Sequence, residues 1–144
     1  RDGDAGTIDT LRELGIGFVP YSPLGRGMLS GTITSRSQLD DDDWRLTNPR
    51  FVEEVFATNL ERVQEVVAIS NEVGATPVQV SLAWLLAKGN DWAPIPGTIR
   101  INHLEEDLKA VDVKLTPEQI VRLDNVTQPL GEHHSPAQMA MFDR

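Results

Sequence analysis

Ile16-Gly17-Phe18-Val19-Pro20-Tyr21-Ser22-Pro23-Leu24-Gly25-Arg26-Gly27 is the stretch from which the fold is read. Its first half is short, apolar and β-rich behind Gly15, the pattern of a buried strand. Its second half is an aromatic ring, a hydroxyl, a proline turn and two glycines around an arginine. Glycines let a backbone approach a ligand closely, and backbone amides beside a guanidinium suit phosphate. The turn therefore reads as the diphosphate-holding corner of a nucleotide cofactor site. A second strand ending, Pro94-Ile95-Pro96-Gly97-Thr98, is expected to share that work.

Working outward, Thr7 is placed as the cap of a short helix carrying Ile8, Leu11 and Leu14, with Gly15 as its stop. From Leu29 to Arg50 no period holds, and Asp40 to Asp43 reads as a solvated loop rather than a cation site. Residues 53–73 carry Phe56, Leu60, Val63 and Val67 at spacings of four, three and four, an amphipathic helix ended by Gly74. Thr76-Pro77-Val78-Gln79 is a capping box that opens a buried helix stopped by Gly89. Trp92 to Pro96 is the second strand, short because of its prolines. Asn102 and Glu105 form a further capping pair before an inner stripe of Leu104, Leu108 and Val111. Thr116-Pro117-Glu118-Gln119 caps a last helix with Ile120, Leu123 and Val126. The tail from Gln128 has little pattern beyond Met139, Met141 and Phe142. In it, His133 and His134 read as solvated, because adjacent side chains point apart and no carboxylate partner is identified.

Strands alternating with helices mean parallel βα units. Two parallel strands cannot satisfy a sheet that is buried on both faces, so the 144 residues read as part of a larger βα fold. Hydrophobic residues make up 40% of the chain, and no apolar run approaches the roughly 20 residues that cross a membrane. No signal peptide is visible in the polar N-terminus Arg1-Asp2-Gly3-Asp4. The lack of cysteine rules out disulfides and thiolate metal sites and fits a reducing, cytoplasmic compartment. A net charge of −9 disfavours nucleic acid or an anionic membrane as partner, though not a small anion held by local donors.

The run Gly15 to Gly27 resembles the aldo-keto reductases, in their bacterial and plant branch. The likeness continues at Asn48-Pro49-Arg50-Phe51, at Thr76 to Leu86, at Ile95-Pro96-Gly97-Thr98, at Leu104-Glu105-Glu106 and at Leu115-Thr116-Pro117-Glu118, in order and as far as about Asp124. The resemblance implies the C-terminal portion of a (β/α)8 TIM barrel: the last two βα units, the helix before them and an extra helix, over residues 1–127, with 128–144 as a tail. It implies NADP as cofactor and a small carbonyl compound as substrate. Tyr21 would stack on the nicotinamide. Ser22, Leu24, Gly25 and Arg26 would hold the diphosphate and ribose, with Pro23 in the same turn. Gly97, Thr98 and Arg100 would surround the adenosine 2′-phosphate, and Glu106 and Asp107 would flank the adenine.

Two departures stand out. Asp107 replaces the family's usual Asn, which removes a donor and adds charge. The family's Asp, Tyr, Lys and His of proton transfer belong to earlier strands, and no residue of this chain matches them. The expected whole is thus an NADP(H)-dependent oxidoreductase represented by its cofactor-binding part, inactive alone and completed by an N-terminal half. The alternative is a truncated, non-catalytic chain that self-associates or pairs with another chain through open strand edges.

Overall fold

The computed structural model describes residues 5–142, so the polar N-terminus at 1–4 lies outside the described residues. Six α-helices carry the fold: α1 (Ala5–Glu13), α2 (Glu53–Val73), α3 (Pro77–Leu86), α4 (Ile101–Leu108), α5 (Pro117–Asn125) and α6 (Pro136–Phe142).

α1 begins ahead of Thr7, which lies within the helix rather than at its cap. Its end is as expected. The Ile16 N–H reaches the Leu11 carbonyl at 2.9 Å and the Gly15 N–H that of Arg12 at 3.1 Å. This is a Schellman closure, and it needs the left-handed φ of +66° that Gly15 supplies without a Cβ clash.

The two expected strands do not become a sheet among the described residues. They run side by side in parallel and touch at two bridges, Phe18 with Trp92 and Tyr21 with Ile95. The Phe18 N–H donates to Asp91 at 2.7 Å, Ala93 to Phe18 at 2.9 Å and Ile95 to Pro20 at 3.3 Å. Pro20, Pro94 and Pro96 have no N–H to extend the ladder. Ile16 and Val19 are exposed, against the expectation of a buried strand, since no further strand covers this pair.

The core lies instead among the helices. Phe56 and Val63 of α2 pack with Met28, Leu39 and Phe51, and Leu60 and Val67 border them. Further along α2, Val66 and Ile69 meet Val80 of α3 and Leu123 of α5. Each such side chain, taken wholly from water, contributes about 1.5–3 kcal/mol. Both capping boxes form. Thr76 accepts from the Gln79 N–H at 3.2 Å while the Gln79 side chain accepts from the Thr76 N–H at 3.0 Å, and Thr116 with Gln119 repeats the pattern.

α5 is tied to α2 by Arg122, which pairs with Glu65 at 2.6 Å and Glu72 at 2.8 Å. It is tied to α3 by Asp124, which accepts from the Trp84 indole at 2.7 Å and pairs with Lys88. The expected loop from Leu29 to Arg50 is built of short 3-10 turns, Gly25–Ser30, Arg36–Gln38 and Trp44–Thr47. In the acidic run, Asp43 caps the last of these and holds Arg45 at 2.6 Å. That hydrogen bond keeps the Asp43 carboxyl below, and the Arg45 guanidinium above, their ordinary ranges.

α4 departs most from expectation. Its N-cap is Arg100, so Asn102 and Glu105 form no cap. Leu104, Leu108 and Val111, expected as an inner stripe, are exposed, Leu108 to 61%. Only Asp107 on α4 and Ala110 beyond it are buried.

Candidate functional site

The first corner is shaped by left-handed backbone. Ser22 (φ +47°) and Arg26 (φ +60°) adopt it without being glycine, and Gly27 follows at +92°. The turn closes on itself: the Gly25 N–H bonds to the Ser22 carbonyl at 3.0 Å, and the N–H groups of Gly27 and Leu29 to that of Leu24 at 3.1 and 3.2 Å. Leu24 packs against Val78, Leu82 and Ala110. Its side chain is therefore an anchor for the turn, and a ligand would meet the backbone around it.

Tyr21 stands at the bridge to Ile95, and the residue is 56% exposed. That pairing sets the first corner beside the second, because Gly97 is two residues beyond Ile95. There, the Thr98 hydroxyl accepts from the Arg100 N–H at 3.1 Å and starts α4, while Gly97 and the Arg100 side chain face solvent. One turn on, the Glu106 carbonyl accepts from the Gln79 side chain at 3.3 Å. Burial pushes the Asp107 carboxyl up, Glu106 adds to the rise and His103 opposes it.

A cavity of about 240 Å³ opens under the first corner. Tyr21, Ser22, Pro23 and Gly25 line one side, and Met28, Phe51, Val63 and Leu123 form its apolar floor. Arg50, Arg62 and Asn59 bring polar atoms to it. Gly97, Thr98, Arg100, Glu106 and Asp107 do not line it. The expected site residues thus fall into two groups, the turn above the cavity, whose Leu24 and Arg26 do not line it, and the start of α4.

The tail supplies what sequence reasoning missed. His133 and His134 are half-buried, not solvated. The Arg26 guanidinium donates to the His133 carbonyl at 2.6 Å, its second nitrogen lies 3.3 Å from the His133 ring, and it rests over the Trp44 ring at 5.2 Å. Burial, and after it the neighbouring Arg50, lower the Arg26 pKa, with Tyr21 opposing. Asn48 also donates to the His133 carbonyl, at 3.3 Å, and Arg50 to that of Gly131 at 3.2 Å. The Tyr21 ring meets His133 edge-on at 5.3 Å and lies nearly parallel to His134 at 6.5 Å. Asn59, 1% exposed, was legible in principle. It falls on the same buried face of α2 as Phe56, Val63 and Val66, and a polar residue there marks a hydrogen-bonding duty.

Among the described residues no three His, Cys, Asp or Glu gather as a metal group, and no helix is long and apolar enough to cross a membrane.

Comparison with known proteins adds to this geometry. Residues 1–128 match the Aldo/keto reductase family. Aldo-keto reductase str7 of Strobilurus tenacellus is 39% identical over 128 residues, which are 89% of this chain and 38% of that protein. The crystal structure of the thermostable aldo-keto reductase Tm1743, in complex with the inhibitor epalrestat, superposes with a TM-score of 0.56 at 30% identity, covering 85% of this chain and 34% of that one. The chain thus spans little more than a third of the relatives it matches.

Proposed function

Because the chain belongs to the aldo/keto reductase family, an oxidoreductase class that uses nicotinamide cofactors on carbonyl substrates, we propose that it is the NADP(H)-binding C-terminal part of a reductase of aldehydes or ketones. One observation carries the reading. The Tyr21–Ile95 bridge sets the Ser22–Gly27 turn and the Gly97–Arg100 corner side by side, with a guanidinium at each.

The residues fit such a cofactor in kind. Tyr21 offers an exposed ring for stacking. Ser22, Pro23, Leu24, Gly25 and Arg26 form a tight turn for a diphosphate, and Gly97, Thr98 and Arg100 form a second polar corner for a 2′-phosphate. Glu106 and Asp107 follow on α4, where an adenine edge would lie. The bound nicotinamide supplies hydride; this chain's part is to hold and orient it. Arg26 commits one of its five donors to the His133 carbonyl, so a phosphate at this turn would share the guanidinium with the tail. The resemblance matches no described residue to the family's proton donor, and on this reading the chain alone does not turn over substrate.

Titrating the chain with NADPH and NADH, followed by cofactor fluorescence, tests the reading. Saturable binding that favours NADPH and loses that preference in Arg100→Ala supports it. Equal, non-saturating signals for both cofactors sink it.

A second reading draws on the bare apolar face of Ile101, Leu104, Leu108 and Val111. In it the chain is non-catalytic and associates with itself or with another chain. Sedimentation of the cofactor-free chain separates the two, since this reading requires a concentration-dependent assembly.

A further inference from the structure

Three donor atoms on the tail and the first corner converge on one point. The Tyr21 hydroxyl lies 3.1 Å from His134 Nε2 and 3.4 Å from His133 Nδ1, and those two ring nitrogens are 3.2 Å apart. An imidazole nitrogen holds either a proton or a lone pair, never both. The three edges of this triangle therefore compete for protons, and no tautomer makes each edge a separate hydrogen bond. A cation beside the triangle would compete with those protons for the same lone pairs.

The triangle also has the right size. With bonds of about 2.0–2.1 Å, one face of a tetrahedral site has edges of about 3.3–3.4 Å, and one face of an octahedral site about 2.8–3.0 Å. The three measured edges lie between these limits or on them.

The corner that presents the rings is held largely through its backbone, with Arg26 also 3.3 Å from the converging His133 nitrogen. Arg26 at 2.6 Å and Asn48 at 3.3 Å both donate to the His133 carbonyl. Asn59 pairs with both backbone groups of Leu130. Sequence reading set the histidine pair aside because neighbours point apart. The bent backbone between Gly131, at φ +87°, and Ser135 brings the rings together instead. The third donor is a phenol more than a hundred residues away, which no spacing rule would connect to them.

We propose that Tyr21, His133 and His134 form a site for a divalent transition cation of the zinc or copper(II) class. The phenolate oxygen and two imidazole nitrogens are the ligands, and water takes the remaining position. Imidazole suits these metals, which stand at the tight-binding end of the divalent series. On binding, the phenol proton leaves to solvent. Arg26 gives up its 3.3 Å contact with the His133 ring and keeps its bond to the carbonyl. Its charge favours the phenolate but opposes the cation, which makes the site an exchangeable one.

The proposal uses three side chains of this chain and does not depend on the cofactor reading. The full chain, free of nucleotide, is titrated with zinc chloride by calorimetry and with copper(II) sulfate by visible absorption. One cation per chain is expected, with a phenolate-to-copper charge-transfer band. Tyr21→Phe should abolish the band, and Tyr21→Phe and His134→Ala should each weaken zinc binding at least about tenfold. His103→Ala, on the exposed side of α4, should leave both measurements unchanged. Circular dichroism checks that each variant keeps its helices. A wild-type chain without the band or without one-to-one binding overturns the proposal whether or not the variants fold, and so does binding that survives both substitutions.

Discussion

Asn59 and Leu130, 71 positions apart, exchange two hydrogen bonds: the Asn59 amide donates to the Leu130 carbonyl at 3.0 Å, and its oxygen accepts from the Leu130 N–H at 2.7 Å. The same amide donates to the Arg50 carbonyl at 2.9 Å, and the oxygen accepts from Arg62 at 3.1 Å. One buried side chain thus ties α2 both to Arg50 and to the tail.

Asn59→Ala should destabilise the chain by about 2–3 kcal/mol, since it leaves several buried groups unpaired rather than removing one bond. Urea unfolding measures the loss. Limited proteolysis should show early cleavage between Asn125 and Pro136, and a tail that stays protected contradicts the clamp.

Arg26→Ala should weaken NADPH and NADH binding alike, by about tenfold, because the diphosphate is common to both cofactors. Arg100→Ala should weaken NADPH alone by a similar factor. Fluorescence titrations of the two variants distinguish the roles, and the reverse pattern would exchange the assignments of the two corners.

Asp107→Asn should raise stability at neutral pH by about 1 kcal/mol and add nothing in acid. The sign follows from the raised carboxyl. A group whose folded pKa lies above its unfolded one binds its proton more tightly when folded. Its stabilising contribution is complete below the unfolded pKa and is lost as pH rises through the folded value. Asparagine mimics the protonated form at every pH. Thermal melts of both chains across the acid range should converge at the low end, and parallel curves would refute the shift.

Thr76→Ala should cost about 1 kcal/mol, the loss of the side-chain oxygen that accepts from the Gln79 N–H. Thr76→Ser should recover most of it in the same denaturation experiment, since the hydroxyl is what the cap uses.

The helical frame was legible where local chemistry decides it. The boundaries of α2, the two Thr-Pro-x-Gln caps and the Gly15 stop all follow from short-range rules, and the folded chain obeys them. The turns at Ser22–Gly27 and at Gly97–Arg100 were legible for the same reason. What could not be read is long-range. The strands at 16–21 and 92–96 needed neighbours to become a sheet, and the stripe on α4 needed a surface to cover it. The tail showed no period because single contacts, Asn59 with Leu130 and Arg26 with His133, place it one residue at a time.

The two non-glycine left-handed residues of the first corner carry a further consequence. Ser22 and Arg26 each sit where an L side chain crowds its own backbone, at about 1–2 kcal/mol per residue. Glycine at Ser22 would relieve that crowding, whereas glycine at Arg26 would also remove the guanidinium that ties the tail through the His133 carbonyl. Screens for heat tolerance should therefore enrich glycine at Ser22 and retain Arg26.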